Sequence, residues 1–84
     1  MHYVYLVRCK DSTLYCGQTN NLEKRIEEHN LSKTKSAKYT RGRKPVMLVY
    51  FEQVNTISLA LKRECEIKKL TKAQKEILVQ RFKK

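Results

Sequence analysis

Five residues in this chain are of types that move protons and stabilise negative charge: Tyr5, Tyr15, Arg25, His29 and Glu64. Tyr5 closes the tripeptide Tyr3-Val4-Tyr5, and Tyr15 opens Tyr15-Cys16-Gly17. Arg25 and His29 are four residues apart, so on a helix they project from one side. The planar fork of an arginine suits a phosphate, and an imidazole carries protons near neutral pH. A lone carboxylate, with waters and a substrate phosphate, is one way to hold magnesium. Together such groups can cut a phosphodiester. Each also has a plainer reading. Arg25 suits a surface pair with Glu28 or Glu23, and His29 suits a helix end, where it meets the dipole. Tyr5 and Tyr15 suit a strand core, and Glu64 suits a pair with Lys68 one turn later.

Positioning these groups requires a hairpin and two helices. Tyr3 to Cys9 is rich in β-formers, Lys10-Asp11-Ser12 reads as a turn, and Thr13 to Thr19 reads as the returning strand. Facing residues of antiparallel strands share a side of the sheet. An odd loop, or a bulge, puts Tyr5, Tyr15, Val7 and Gly17 on one face, and gathers Val4, Leu6, Leu14 and Cys16 on the other. An even loop scatters the apolar set, so the odd register is expected. Gly17 beside the phenols is expected to let a substrate approach the backbone. Asn20, with Glu23 three residues on, reads as the cap of a helix to about Leu31, with Leu22 and Ile26 on its apolar stripe.

Ser32 to Lys44 is polar, basic and long enough to suggest a role of its own. Val46 to Phe51 is almost wholly apolar and reads as a strand covered on both faces, central in a small sheet. Thr56 caps a second helix to about Lys69, with Ile57, Ala60, Leu61 and Ile67 as its expected buried side and Glu64 on that stripe. Thr71 and Gln74 form a capping box for a last helix, with Ile77, Leu78 and Phe82 as its expected apolar face. The order β-β-α-β-α-α describes an α+β domain over residues 1–84, a three-stranded antiparallel sheet flanked by helices.

The chain is 84 residues long with 19 Lys and Arg, 8 Asp and Glu, and a net charge of +11. From Asn30 to Phe51 there are six basic residues and no acidic one; from Lys62 onward there are nine basic and three acidic. A one-sign field concentrates polyanions, so a nucleic acid is the expected partner, with salt-sensitive binding. Three cysteines without a C-x-x-C indicate neither a disulfide framework nor a zinc site, and fit a cytoplasmic protein. No apolar run is long enough to span a membrane and no signal peptide is evident.

The ordered combination resembles a known family. Tyr3-Val4-Tyr5 followed by Tyr15-Cys16-Gly17 is similar to the GIY-YIG signature, and Arg25, His29 and Glu64 continue its order. The Ala37 to Gly42 stretch is similar to that of small stand-alone bacterial members. The resemblance implies the fold just described and metal-dependent phosphodiester hydrolysis, an endonuclease activity of the kind used in DNA repair and recombination. Tyr5 and Tyr15 would position or activate water and contact the scissile phosphate. Arg25 would steady developing charge, His29 would stand near the nucleophile, and Glu64 would hold a single Mg²⁺ or Mn²⁺. Cations near a tyrosine would have to favour its ionised form or pass its proton onward. Gln18 stands where some relatives carry a lysine.

The backbone of a nucleic acid, DNA before RNA, would be gripped by Lys33, Lys35, Lys38, Arg41, Arg43 and Lys44, with Tyr39 available for base stacking. No small-molecule cofactor is implied. The first tripeptide begins with Tyr3 rather than glycine, and no asparagine follows Asn55. With no appended recognition domain, substrate choice is expected to follow structure rather than sequence. Two other readings stay open: a nucleic-acid-binding module with a vestigial site, and a ribosome-associated structural protein.

Overall fold

The computed structural model describes residues 1–31 and 38–82. Its elements are β1 (His2–Arg8), β2 (Leu14–Thr19), α1 (Leu22–Leu31), the single turn α2 (Lys38–Arg41), β3 (Met47–Val54), α3 (Ile57–Lys68) and α4 (Lys72–Phe82). The sheet is antiparallel in the order β2-β1-β3. The central strand is therefore β1, whose Val4, Tyr5, Leu6 and Val7 are all buried. This corrects the expectation that the Val46–Phe51 run is central. β3 is an edge strand with apolar contacts on both faces: Val49 and Tyr50 pack with α3 and α4 residues, while Leu48 and Phe51 pack on the opposite side, and only Val49 of the strand is buried. An unbroken apolar run reports two-sided contact, which an edge can also have. The bulge opposite Leu6 and Val7 makes this possible, because Leu6 pairs Tyr50 while Val7 pairs Leu48, leaving Val49 as the extra residue.

Residues 9–13 link β1 to β2, an odd loop, and the register follows it: Tyr5 pairs Gly17 and Val7 pairs Tyr15. One face carries Val4, Leu6 and Cys16 into a core with Ala60, Ile67 and Val79. The other carries Tyr5 and Val7, packed with Tyr15, Leu22 and Ile26. The turn holds Ser12 at φ 70°. The Asp11 carboxylate accepts from the Thr13 N–H at 3.1 Å and from its hydroxyl at 2.6 Å. Side chains then tie the turn to distant elements. Arg8 forks onto Glu76 of α4, with one arm at 2.8 Å, and Arg43 donates to Asp11 at 3.0 Å.

The cap of α1 is Asn21 rather than Asn20: its side-chain oxygen accepts from the Lys24 N–H at 3.1 Å, and the helix begins at Leu22. Thr56 caps α3, accepting from the Leu59 N–H. Both halves of the Thr71/Gln74 box are made, at 2.9 and 3.2 Å. The buried sides of the last two helices differ from expectation. Ile57 and Leu61 are about half exposed, at 53% and 49%, and the inward stripe of α3 runs through Ala60, Glu64 and Ile67. On α4, Val79 is buried and Leu78 partly so, while Ile77 and Phe82 are exposed. Apolar side chains on these helices exceed what one sheet face can cover, so the spacing alone admits more than one stripe.

Candidate active site

The hairpin and α1 bring four of the five chemistry-bearing side chains together. Tyr5 projects from β1 toward α1, and its hydroxyl lies 2.9 Å from His29 Nε2. Arg25, one turn before His29, acts on the same phenol through its guanidinium charge and pairs with Glu28 at 3.1 Å. The plainer reading of Arg25, a helix pair with Glu28, is thus realised alongside its action on Tyr5. Tyr15 on β2 completes the group, its ring 5.6 Å centroid to centroid from the imidazole in an edge arrangement.

His29 is fully buried, and its other ring nitrogen, Nδ1, lies 2.9 Å from the hydroxyl of Thr40 on α2, also fully buried. Thr40 carries no motif that would have singled it out. Its place in the 37–42 stretch was legible, but its contact with a helix eleven residues back was not.

Burial decides the charge states here. Desolvation pushes the Tyr5 phenol up to about 12, outweighing the Arg25 guanidinium that pulls it down. Desolvation, reinforced by the Arg25 charge, pulls His29 down to about 4. Both groups are therefore neutral at pH 7. Of the two routes open to a tyrosine among cations, the ionised form is disfavoured at Tyr5, because this phenol is 1% exposed, and passing its proton onward stays open.

Gly17 also has a packing role. A Cβ built there would lie 2.6 Å from Tyr5 Cζ and closer still to its hydroxyl. The missing side chain makes room for the cross-strand ring of Tyr5.

Glu64 reaches this group indirectly. It lies on α3, whose backbone runs beside Cys16 of β2, and its side chain is 19% exposed. Its carboxylate pairs with Lys68 at 3.5 Å, and the Lys68 ammonium lies 6.0 Å from the centre of the Tyr15 ring. The phenols and Glu64 thus flank the β2 edge from opposite faces, with Lys68 between them. Among the described residues no group of three or more His, Cys, Asp and Glu is placed to hold a metal.

Gln18 pairs Val4, so it lies on the Glu64 side of β2. Lys38 and Arg41 are exposed on α2, and Arg43 is tied to Asp11. Lys33, Lys35 and the Tyr39 side chain lie outside the described residues. An open cleft runs elsewhere among the described residues, between α1 and β3, lined by Tyr3, Ile26, Leu48 and Phe51 with Glu23 and Glu27, and it contains none of the five.

A three-stranded antiparallel sheet with helices in the order β-β-α-β-α-α is a fold this chain shares with solved relatives. The chain belongs to the GIY-YIG family: the GIY-YIG catalytic domain model matches residues 1–77. It is 57% identical over 79 residues to a UPF0213 protein of Clostridium perfringens, covering 94% of this chain and 83% of that one. It is 52% identical over 79 residues to a UPF0213 protein of Haloquadratum walsbyi, covering 94% and 86%. The solution NMR structure of protein EF2693 from E. faecalis superposes with a TM-score of 0.63 at 42% identity, covering 96% of this chain and 84% of that one. The UPF0213 protein BH0048 from Bacillus halodurans does so at 0.59, also with 42% identity, covering 94% and 82%. These relatives are small proteins from bacteria and archaea. No helix among the described residues is long and apolar enough to cross a membrane.

Proposed function

We propose that this protein is an endonuclease that hydrolyses phosphodiester bonds in nucleic acid, DNA in the first instance, with a divalent cation. The observation that carries it is the Arg25–Tyr5–His29 cluster against Tyr15, with Glu64 at the same strand edge. Membership of a nuclease-type family supports the same reading.

Hydrolysis requires a water to attack phosphorus, lose a proton, and expel an alkoxide. Tyr15, half-buried at the β2 edge, is the phenol that meets the phosphate. Tyr5 sits behind it. When its oxygen takes the proton from the attacking water, its own proton passes to His29 Nε2, 2.9 Å away. The net change moves one proton from water to imidazole without a free phenolate. In the resting protein the depressed His29 resists that transfer. An incoming phosphate offsets the Arg25 charge, the electrostatic component of that depression. Arg25 keeps guanidinium donors for the negative charge that develops on the phosphoryl oxygens.

Glu64 fits a hard cation of the Mg²⁺ or Mn²⁺ kind, held by one carboxylate with waters and substrate oxygens, once Lys68 releases it. When bound, such an ion supplies Lewis-acid stabilisation of the phosphate. Lys38 and Arg41, exposed on α2, are offered to the polymer backbone, and substrate choice by structure rather than sequence follows from that mode of contact.

The test is cleavage of branched, single-stranded and duplex DNA, with RNA in parallel, in Mg²⁺. Glu64→Gln is expected to lower the rate on the order of a hundredfold or more while leaving the melting temperature within a few degrees. Cleavage at the original rate in that variant sinks the proposal. Metal-independent binding with no cleavage by the unaltered protein would leave a binder with a vestigial site.

A further inference from the structure

The direction of each hydrogen bond in the buried relay follows from where the Tyr5 proton can go. A guanidinium can only donate, so Arg25 offers the Tyr5 proton no acceptor. Tyr5 is 1% exposed, so its own hydroxyl proton needs a protein acceptor, and His29 Nε2 is in reach at 2.9 Å. Nε2 must then be the unprotonated nitrogen. A neutral imidazole carries its single proton on the other nitrogen, and that nitrogen, Nδ1, faces Thr40 Oγ1 at 2.9 Å. Both partners are fully buried, so water does not substitute for this contact.

We propose that Thr40 is a positioning residue that holds His29 as the Nδ1–H tautomer, so that Nε2 stays open to take the proton of Tyr5. This rests on the nuclease reading for its purpose, but not for its geometry. Without the hydroxyl, a buried Nδ1–H loses its acceptor, a penalty large enough to reverse a tautomer preference. The imidazole then protonates Nε2, which donates to Tyr5, and the relay points the wrong way. Thr40 sits on α2, whose last turn is closed by the Arg43 N–H bonding the Thr40 carbonyl at 3.1 Å. A residue of the cationic segment thus sets the protonation pattern of α1.

The experiment is long-range ¹H–¹⁵N correlation of the His29 ring at pH 7 in the full chain without substrate, in the unaltered protein, Thr40→Val and Thr40→Ser. The Nδ1–H tautomer is expected in the unaltered protein and in Thr40→Ser, and the Nε2–H form, or a mixture, in Thr40→Val. In the cleavage assay Thr40→Val is expected to lower kcat about 10- to 100-fold with KM little changed, and Thr40→Ser to restore most of it. An Nε2–H tautomer in the unaltered protein overturns the proposal, as does an unchanged tautomer in Thr40→Val. Should Thr40→Val not fold, the tautomer of the unaltered protein and of Thr40→Ser still decides. A protein that shows the expected tautomers yet cleaves nothing defeats the nuclease reading and leaves the tautomer assignment standing.

Discussion

His29 is the residue at which burial and charge act most directly on one another. Its value near 4 lies below the ordinary 6.5 because burial penalises the imidazolium and Arg25 repels it. Between those values the unfolded chain holds a proton that the folded chain refuses. Stability from this residue is therefore fully present above about pH 6.5 and lost as pH falls toward 4. The His29 ring signals are expected to stay at their neutral positions down to pH 5.5, and the urea midpoint to fall between pH 6.5 and 4. Replacing His29 by Gln should flatten that fall; a titration of His29 near 6.5 would contradict the burial seen here. At this scale the plain readings and the chemical ones coexist. Tyr5 is a core tyrosine and also the partner of His29, while Glu64 is paired with Lys68 and also sits at the edge that carries Tyr15.

The hairpin shows how an element enforces such a contact. Tyr5 and Gly17 face each other across the strands, and the tyrosine ring fills the space a side chain at 17 would occupy. Gly17→Ala is expected to destabilise by about 1–3 kcal/mol, the usual penalty for an overpacked site, measured by urea unfolding. It should also move the Tyr5 ring signals, because the ring must shift. A neutral effect on both would show that the ring yields without penalty. Elsewhere ion pairs join elements across the sheet: Arg63 of α3 chelates Glu52 of β3, with contacts at 2.9 Å, and Glu52 also accepts from Tyr50. Arg8 and Glu76 likewise join β1 to α4. These pairs account for several charges that would otherwise count toward a nucleic-acid surface.

Over the whole molecule the charge of +11 governs encounter with a polyanion. Binding of a DNA oligonucleotide is expected to fall about a thousandfold between 50 and 200 mM salt if about six phosphates are contacted. Lys38→Ala should make the salt slope shallower by about one, whatever the sequence of the oligonucleotide. A salt-independent affinity would remove the electrostatic basis of the proposed function.

What the chain revealed on its own was whatever is local or periodic. The tripeptides and the alternation of Val4, Leu6, Leu14 and Cys16 determined the hairpin and its odd register. Thr56 and the Thr71/Gln74 box marked two helix starts within a residue. Only the tertiary structure decided that β1 is central, that α3 turns Ala60 and Ile67 inward instead of Ile57 and Leu61, that Gly17 makes room for Tyr5, and that Thr40 meets His29. Those outcomes depend on which apolar surfaces cover one another and on how far each polar group is removed from water. Neither quantity is carried by residue spacing, because both arise only when segments distant along the chain are packed together.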